Sequence, residues 1–336
     1  MPANLYVHFP FCRRKCRYCA LYSRAGVSSA DRAAYVRRLA AELDAMRPPS
    51  RAKLRTVYFG GGSPALCDLT PLSAALATLC DAETEFTVEL HPLDVTEAKL
   101  AELKSIGVNR ISMGVQSLDD ATLADMGRGY SVDEAEQAFR LVRRFFDNAG
   151  IDLIVGYPGD PCAGYERLAD WGLKHCSVYS LQNERGLANV PSDDWTLDRL
   201  RQVVRQLGEM GLNRYEISNY AAPGFECRHN FAVWRGEDYI GLGEGACGRI
   251  GLDRTHSGKV TETLTLERDL IERTIFRLRT REGLDVAALA PHPSYPSFVV
   301  ALDMFVREGL LMRKGTAYCL TDRGTEVCDS ILEELV

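Results

Sequence analysis

Between residues 5 and 210 short apolar runs alternate with longer stretches of helical periodicity, and this alternation restricts the fold more than any single residue does. The runs Leu5–Phe9, Thr56–Phe59, Phe86–Leu90, Arg110–Val115, Ile151–Val155 and Ser177–Leu181 predict strands. Helices are predicted over Asp31–Arg47 (apolar at Tyr35, Leu39, Leu43 and Met46, stopped by Pro48 and Pro49), Leu69–Leu79, Thr96–Ser105 (stopped at Gly107), Val132–Asn148 and Leu197–Met210. A strand–helix repeat of this kind builds a parallel sheet, because each helix carries the chain back to start the next strand in the same direction. Six units in about 210 residues predict an α/β fold, a partial (β/α)6 barrel, with its active site at the carboxyl ends of the strands. From Leu266 the pattern changes. Helical segments Leu266–Arg279 and Ser297–Glu308 precede GLLMRKGTAYCLTDRG, which reads as a hairpin, so a small helical, winged-helix-like appendage is expected. The expected division is residues 1–250 for the barrel and the segment that follows it, and residues 251–336 for a small C-terminal domain.

Charge and cysteine usage narrow the function. The formal charge is −6, and 33 of the 40 basic residues are Arg. A mildly acidic chain lacks the concentrated positive field of a general nucleic-acid binder, and the appendage is not notably basic. No run approaches the roughly 18–20 uninterrupted apolar residues of a spanning helix. The start, MPANLYVHFP, lacks the basic region and apolar run of a secretion signal, so a cytoplasmic location is expected. In that compartment the 11 cysteines should be reduced, and their odd number argues against a disulfide framework. Eight of them (Cys67, Cys80, Cys162, Cys176, Cys227, Cys247, Cys319 and Cys328) are scattered and read by default as small apolar packing residues.

Cys12, Cys16 and Cys19 are different, because they fall within FCRRKCRYCA in the spacing C-x3-C-x2-C. A loop of this length can wrap three thiolates around one centre, and the neighbouring Arg13, Arg14, Lys15 and Arg17 are expected to favour thiolate. Structural zinc takes four protein ligands, and no second C-x2-C exists. A 4Fe–4S cluster fits three thiolates better and keeps one iron open for reaction. Other candidates stand after predicted strands: the run Gly60-Gly61-Gly62-Ser63-Pro64, then Glu89, Gln116 and Asp152, with Arg128 twelve residues past Gln116. Each alone is most simply a turn, a cap or a surface charge.

The string YVHFPFCRRKCRYC resembles the radical S-adenosylmethionine (SAM) signature, and in particular the group of oxygen-independent coproporphyrinogen oxidases and HemW-type heme chaperones. GVNRISMGVQSLDDATLADMGRGYS continues the likeness, which runs from about Tyr6 to Arg249. The resemblance implies a radical-SAM-type barrel with a 4Fe–4S cluster on Cys12, Cys16 and Cys19 and SAM on its open iron. It also implies a SAM site made by Gly61, Gly62, Ser63, Glu89, Gln116, Arg128 and Asp152, with Tyr6 and Tyr18 flanking cluster and adenine. An electron donor such as flavodoxin or ferredoxin is implied, and reductive cleavage of the sulfonium bond is the family's chemistry.

Two features point to the heme-chaperone branch rather than the oxidase branch. Leu21 stands where those oxidases carry a fourth cysteine, and Cys12 comes almost at once, without a covering extension. The implied cargo is heme or a related tetrapyrrole, delivered to heme-accepting proteins. The alternative is a tetrapyrrole-modifying enzyme such as coproporphyrinogen III dehydrogenase. The heme-linked region is RYEISNYAAPGFECRHNFAVWRGEDYIGLGEGACGRIG, with His229 as a candidate iron ligand or a hydrogen-bonded structural residue, and with Cys227 and Cys247 as further candidates. Departures from the family pattern are His91 in Glu89-Leu90-His91-Pro92, Val233 for Tyr, and Cys247 where His is common.

Overall fold

The computed structural model describes residues 2–46, 53–289 and 295–335. All six predicted parallel strands are present: β1 (Asn4–Phe9), β2 (Thr56–Gly61), β3 (Glu85–Leu90), β4 (Arg110–Gln116), β5 (Asn148–Val155) and β6 (His175–Ser180). They lie side by side in chain order, each parallel to the next. The helices between and after them are α1 (Ser29–Ala45), α2 (Ser73–Leu79), α3 (Glu97–Ser105), α4 (Asp120–Met126), α5 (Val132–Phe145) and α6 (Asp193–Glu209). Side chains of Ser28, Thr96, Asp119, Ser131 and Ser192 accept first-turn N–H groups, which fixes where five of these helices start. Ser131 and Glu134 close a reciprocal capping box on α5.

The parallel strands alternate in their two faces. Leu5, Val7, Phe9, Val57, Phe59, Phe86, Val88, Ile111, Met113, Ile151 and Leu153 are at most 2% exposed and form one core with the helices. Burying each such side chain is worth about 1.5–3 kcal/mol, so this face holds sheet and helices together. The other face carries Tyr6, His8, Tyr58, Thr87, Glu89, Arg110, Ser112, Asp152 and Ser177. Parallel strands packed on both sides would read as continuous apolar runs. This face is polar but largely covered: Tyr58 packs with Tyr215, Cys227 and Phe231 in a second small cluster, and Thr87, Arg110, Ser112 and Ser177 are buried.

The structure departs from the sequence expectations at several elements. The helix expected to reach Asn148 ends at Phe145, because Phe146 turns extended to bury its ring and Arg143 donates to its carbonyl at 3.3 Å. Asn148 then opens β5 beside Arg110. Helix α4 was not expected; Asp119 starts it and Gly127, at φ +82°, ends it. The stop at Pro48 and Pro49 lies outside the described residues.

The segment after α6 widens the sheet at both edges. β7 (Asn213–Glu216) and β8 (Asn219–Ala221) add antiparallel beyond β6. Helix α7 (Arg228–Trp234) then leads to β9 (Tyr239–Leu242), which pairs parallel with the far side of β1. A meander of β10 (Cys247–Ile250), β11 (Asp253–His256) and β12 (Lys259–Thr263) follows, giving a twelve-stranded sheet among the described residues. The C-terminal elements are α8 (Leu266–Leu278), β13 (Leu284–Asp285), α9 (Tyr295–Arg307), β14 (Leu311–Lys314), β15 (Ala317–Leu320), α10 (Asp322–Glu326) and α11 (Cys328–Leu335). They have their own small core around Leu278, Leu302, Phe305, Tyr318 and Ile331, and β14–β15 is the predicted hairpin. Among the described residues no helix is long and apolar enough to cross a membrane.

Candidate functional site

Cys12, Cys16 and Cys19 are half-buried free thiols on the loop from β1 to α1. Phe11–Cys12 pairs in parallel with Arg24–Ala25, which closes the base of that loop. Arg13 donates to one oxygen of Asp94 while the Ser63 hydroxyl donates to the other, so the cysteine loop, the glycine run and the turn after β3 share one carboxylate. Arg17 pairs with Asp125, and its N–H donates to the Met126 carbonyl at 3.1 Å. Lys15 donates to the Leu21 carbonyl and to the Ser23 hydroxyl. Arg13, Lys15 and Arg17 thus also shape the loop, and the Lys15 charge favours the Cys12 thiolate as expected. Burial dominates at Cys12 and holds its thiol above the ordinary value, against a lowering hydrogen bond with Ser23 and the Lys15 charge, while the charges of Cys19 and Cys16 add to the rise. Holoprotein assembly would have to offset that, since a metal ligand is the thiolate.

The donor set is three thiols on one loop. A 4Fe–4S cluster takes its thiolates on separate irons, so three loop cysteines fit a cluster with one open corner. Beside them, Arg128 is buried and mostly anchored. Its Nε donates to the Tyr130 hydroxyl at 2.9 Å and one Nη to the Gly114 carbonyl at 2.6 Å. The other Nη donates to Cys16 Sγ at 3.5 Å and to the Tyr18 hydroxyl at 3.4 Å, which ties Arg128 to the cysteine loop.

The glycine run is required by the protein before any ligand is considered. A Cβ at Gly60 would lie 2.9 Å from the Glu89 carboxylate, one at Gly61 2.5 Å from the His8 ring, and one at Gly62 2.3 Å from the Phe11 carbonyl. Gly61 also sits at φ +106°, a left-handed conformation that L side chains rarely adopt. Close packing fixes Glu89: its oxygens accept from the Tyr58 hydroxyl at 2.9 Å and the Gly61 N–H at 3.0 Å. Burial, with the nearby Asp152 charge, pushes Glu89 up to about 7. Asp152 is also raised by burial, against hydrogen bonds from hydroxyls that include Ser112. Gln116, at the bulged end of β4, has φ +77°, a strained backbone for a non-glycine residue at a strand end. His8 Nε2–H donates to the Tyr22 carbonyl at 2.8 Å, so Nδ1 accepts from the Tyr6 hydroxyl at 3.0 Å. Tyr18 packs edge-on to Tyr157. The structure thus brings Tyr18, Gly61, Gly62, Glu89, Gln116 and Arg128 to the carboxyl-end side of the strands, with Tyr6 and Asp152 midway along β1 and β5. The Ser63 hydroxyl instead faces Asp94. Sequence reasoning missed His8, Tyr58 and Asp94; the two-residue alternation that places Tyr6 inward would have found the first two.

The three heme candidates separate. Asn4 and Thr56 begin β1 and β2, and His229 Nδ1 lies 2.8 Å from the Thr56 hydroxyl. Gly61 is five residues further along β2, about 16 Å at strand rise, so His229 is at the opposite end of the barrel from the cysteine loop. Glu85 holds α7 there by accepting from the N–H groups of Arg228 and His229, each at 3.0 Å. His229 is 4% exposed and packs against Tyr58, Tyr6 and Tyr239. Burial, with the Arg110 charge, pushes it down to about 3, so the imidazole is neutral. Cys227 is fully buried with its thiol toward Glu85, and burial pushes it up to about 12. Cys247 is exposed.

A model of the radical SAM superfamily matches residues 6–172. Heme chaperone HemW of Lactococcus lactis is 30% identical over an alignment that spans 100% of this chain and 97% of that protein. The chain belongs to the HemW family of radical SAM proteins. Radical SAM membership implies a 4Fe–4S cluster and SAM, and it is the cysteine loop described above that resembles the signature. Heme chaperone HemW of Escherichia coli is 28% identical over 99% of this chain and 97% of its own length. The mitochondrial radical S-adenosyl methionine domain-containing protein 1 of Bos taurus is 33% identical over 74% of this chain and 61% of its own length. The coproporphyrinogen III oxidase HemN of E. coli superimposes with a TM-score of 0.82 at 21% identity, over 99% of this chain and 90% of that one, and so shares the fold of this HemW family member.

Proposed function

We propose that this protein holds a 4Fe–4S cluster on Cys12, Cys16 and Cys19, binds SAM at the open iron, and carries heme to acceptor proteins. When bound, the cluster and SAM supply one-electron chemistry at the sulfonium, fed by a donor such as flavodoxin or ferredoxin. The chain's own residues bind and orient. Gly61 and Gly62 present backbone, Glu89 and Asp152 offer acceptors to ribose hydroxyls or an ammonium, Arg128 offers to a carboxylate the Nη now shared by Cys16 and Tyr18, and Gln116 offers an amide. Tyr6 and Tyr18 flank the nucleotide, and Ser63 acts through Asp94 by holding the cysteine loop.

The observation that carries the cargo reading is an apolar rim. Leu21 (58% exposed), Tyr22 (48%), Leu93 (41%) and Tyr179 (40%) are among the large apolar residues left in solvent; Leu21 and Tyr22 stand in the cysteine loop, Leu93 past the end of β3, and Tyr179 within β6 one residue before its end. Apolar side chains exposed around one opening suit a broad flat ligand better than a small polar substrate. His229 and Cys227 close the far end of the barrel in this reading, and Cys247 is the heme candidate on the open side.

The test is anaerobic reconstitution followed by incubation with heme and, separately, with coproporphyrinogen III. The expected result is heme bound and passed unaltered in mass to an apo-acceptor. Loss of mass from coproporphyrinogen III in step with formation of 5′-deoxyadenosine would favour the tetrapyrrole-modifying alternative.

A further inference from the structure

Strands β10 and β11 carry a thiol–imidazole pair. Cys247 is the one exposed cysteine of the eleven. It stands directly opposite His256 in the antiparallel ladder, with Sγ 3.6 Å from Nδ1. Register fixes the direction both side chains take. β9 places Tyr239 beside Asn4 and Gly241 beside Tyr6, and β10 returns with Arg249 opposite Tyr239. Alternation by two then puts Cys247 and His256 on the same side of the sheet as Tyr6 and His8, the polar concave side. The turn from β9 to β10 closes onto the cysteine loop: Gly245 is at φ +82°, and a Cβ there would lie 2.5 Å from the Tyr22 ring. The pair therefore adjoins the apolar rim at Tyr22.

Donor count decides what such a pair can hold. No third His, Cys, Asp or Glu among the described residues joins it to make a metal site. A bare transition-metal ion needs three or four protein ligands. Porphyrin iron already has four nitrogens and needs only an axial donor, for which thiolate and imidazole are both established types.

We propose that Cys247 supplies the axial ligand to the iron of bound heme and that His256 is the positioning residue that takes its proton. This rests on the heme-carrier reading. In the step the S–H bond breaks, the proton passes to His256 Nδ1, and a sulfur lone pair forms the Fe–S bond. No oxidant or reductant is consumed.

The experiment titrates heme into the full-length protein with its cluster in place, comparing wild type with Cys247→Ala and His256→Gln. Iron-free protoporphyrin IX serves as a parallel probe. Wild type should show the long-wavelength ferrous–carbonyl Soret band of thiolate ligation. Cys247→Ala should lose that band and at least tenfold in heme affinity, yet bind protoporphyrin IX as wild type does. His256→Gln should weaken the band and heme affinity while leaving protoporphyrin IX binding as in wild type. Cys247 is exposed, and equal cluster content serves as the folding control. A Cys247→Ala protein with wild-type spectrum and affinity overturns this assignment and leaves the carrier reading intact. Failure of wild type to take up heme overturns both.

Discussion

Glu89 keeps both oxygens on protein donors while burial and the Asp152 charge raise it to about 7, so its proton is lost in the range where the protein would work. If the carboxylate accepts from SAM, affinity for SAM should rise as pH increases through about 7, and Glu89→Gln should flatten that profile; isothermal titration between pH 6 and 8, as approximate limits, checks it. The sign for stability is opposite. The folded group holds its proton to higher pH than the unfolded chain does, so its contribution is complete below about 4.5 and is lost as pH rises through about 7. Solvent reaches part of the side chain, so the change should be on the order of 1–2 kcal/mol, visible in urea unfolding and absent in Glu89→Gln. Cys12→Ser, Cys16→Ser and Cys19→Ser should each remove the brown cluster absorbance. Cluster retained in all three would move the metal site elsewhere. His229→Ala should cost about 1–3 kcal/mol in thermal or urea unfolding by removing a buried ring packed on Tyr58, Tyr6 and Tyr239 and its hydrogen bond with Thr56, with heme affinity within about threefold of wild type. A large loss of heme affinity there would return His229 to the iron.

At the scale of elements the glycine run and the cysteine loop form one assembly. Gly61→Ala brings a left-handed backbone and a Cβ clash with His8 together, so it should lower stability by about 1–3 kcal/mol and weaken SAM binding. Asp94→Ala removes the shared partner of Arg13 and Ser63, so the fold should persist while the reconstituted cluster bleaches faster in air. A bleaching rate equal to wild type would show that the loop holds its shape alone. The parallel strands and most helices were legible because each spans enough residues for its period to show, and Gly107 marked an end correctly. The strands from Asn213 to Thr263 were not legible. They are only three to five residues long, so neighbouring strands rather than their own pattern define them. Alternation within LYVHF and FTVEL was present in the sequence, and it separates the core face from the polar face.

In the whole molecule α7 lies at the amino ends of β1 and β2, and the cysteine loop lies beyond their carboxyl ends. Membership of the HemW family was legible from the cysteine spacing and the strings around it. The separation of His229 from that loop was not, because it depends on where Glu85 and Thr56 capture a short helix. The central claim is a three-thiolate cluster whose open iron takes SAM. It is tested most directly by electron paramagnetic resonance of the anaerobically reconstituted, reduced protein before and after SAM is added. The account predicts a 4Fe–4S signal that changes on addition of SAM and is lost in Cys16→Ser. A signal indifferent to SAM, or a protein that takes up zinc in place of iron and sulfide, would contradict it.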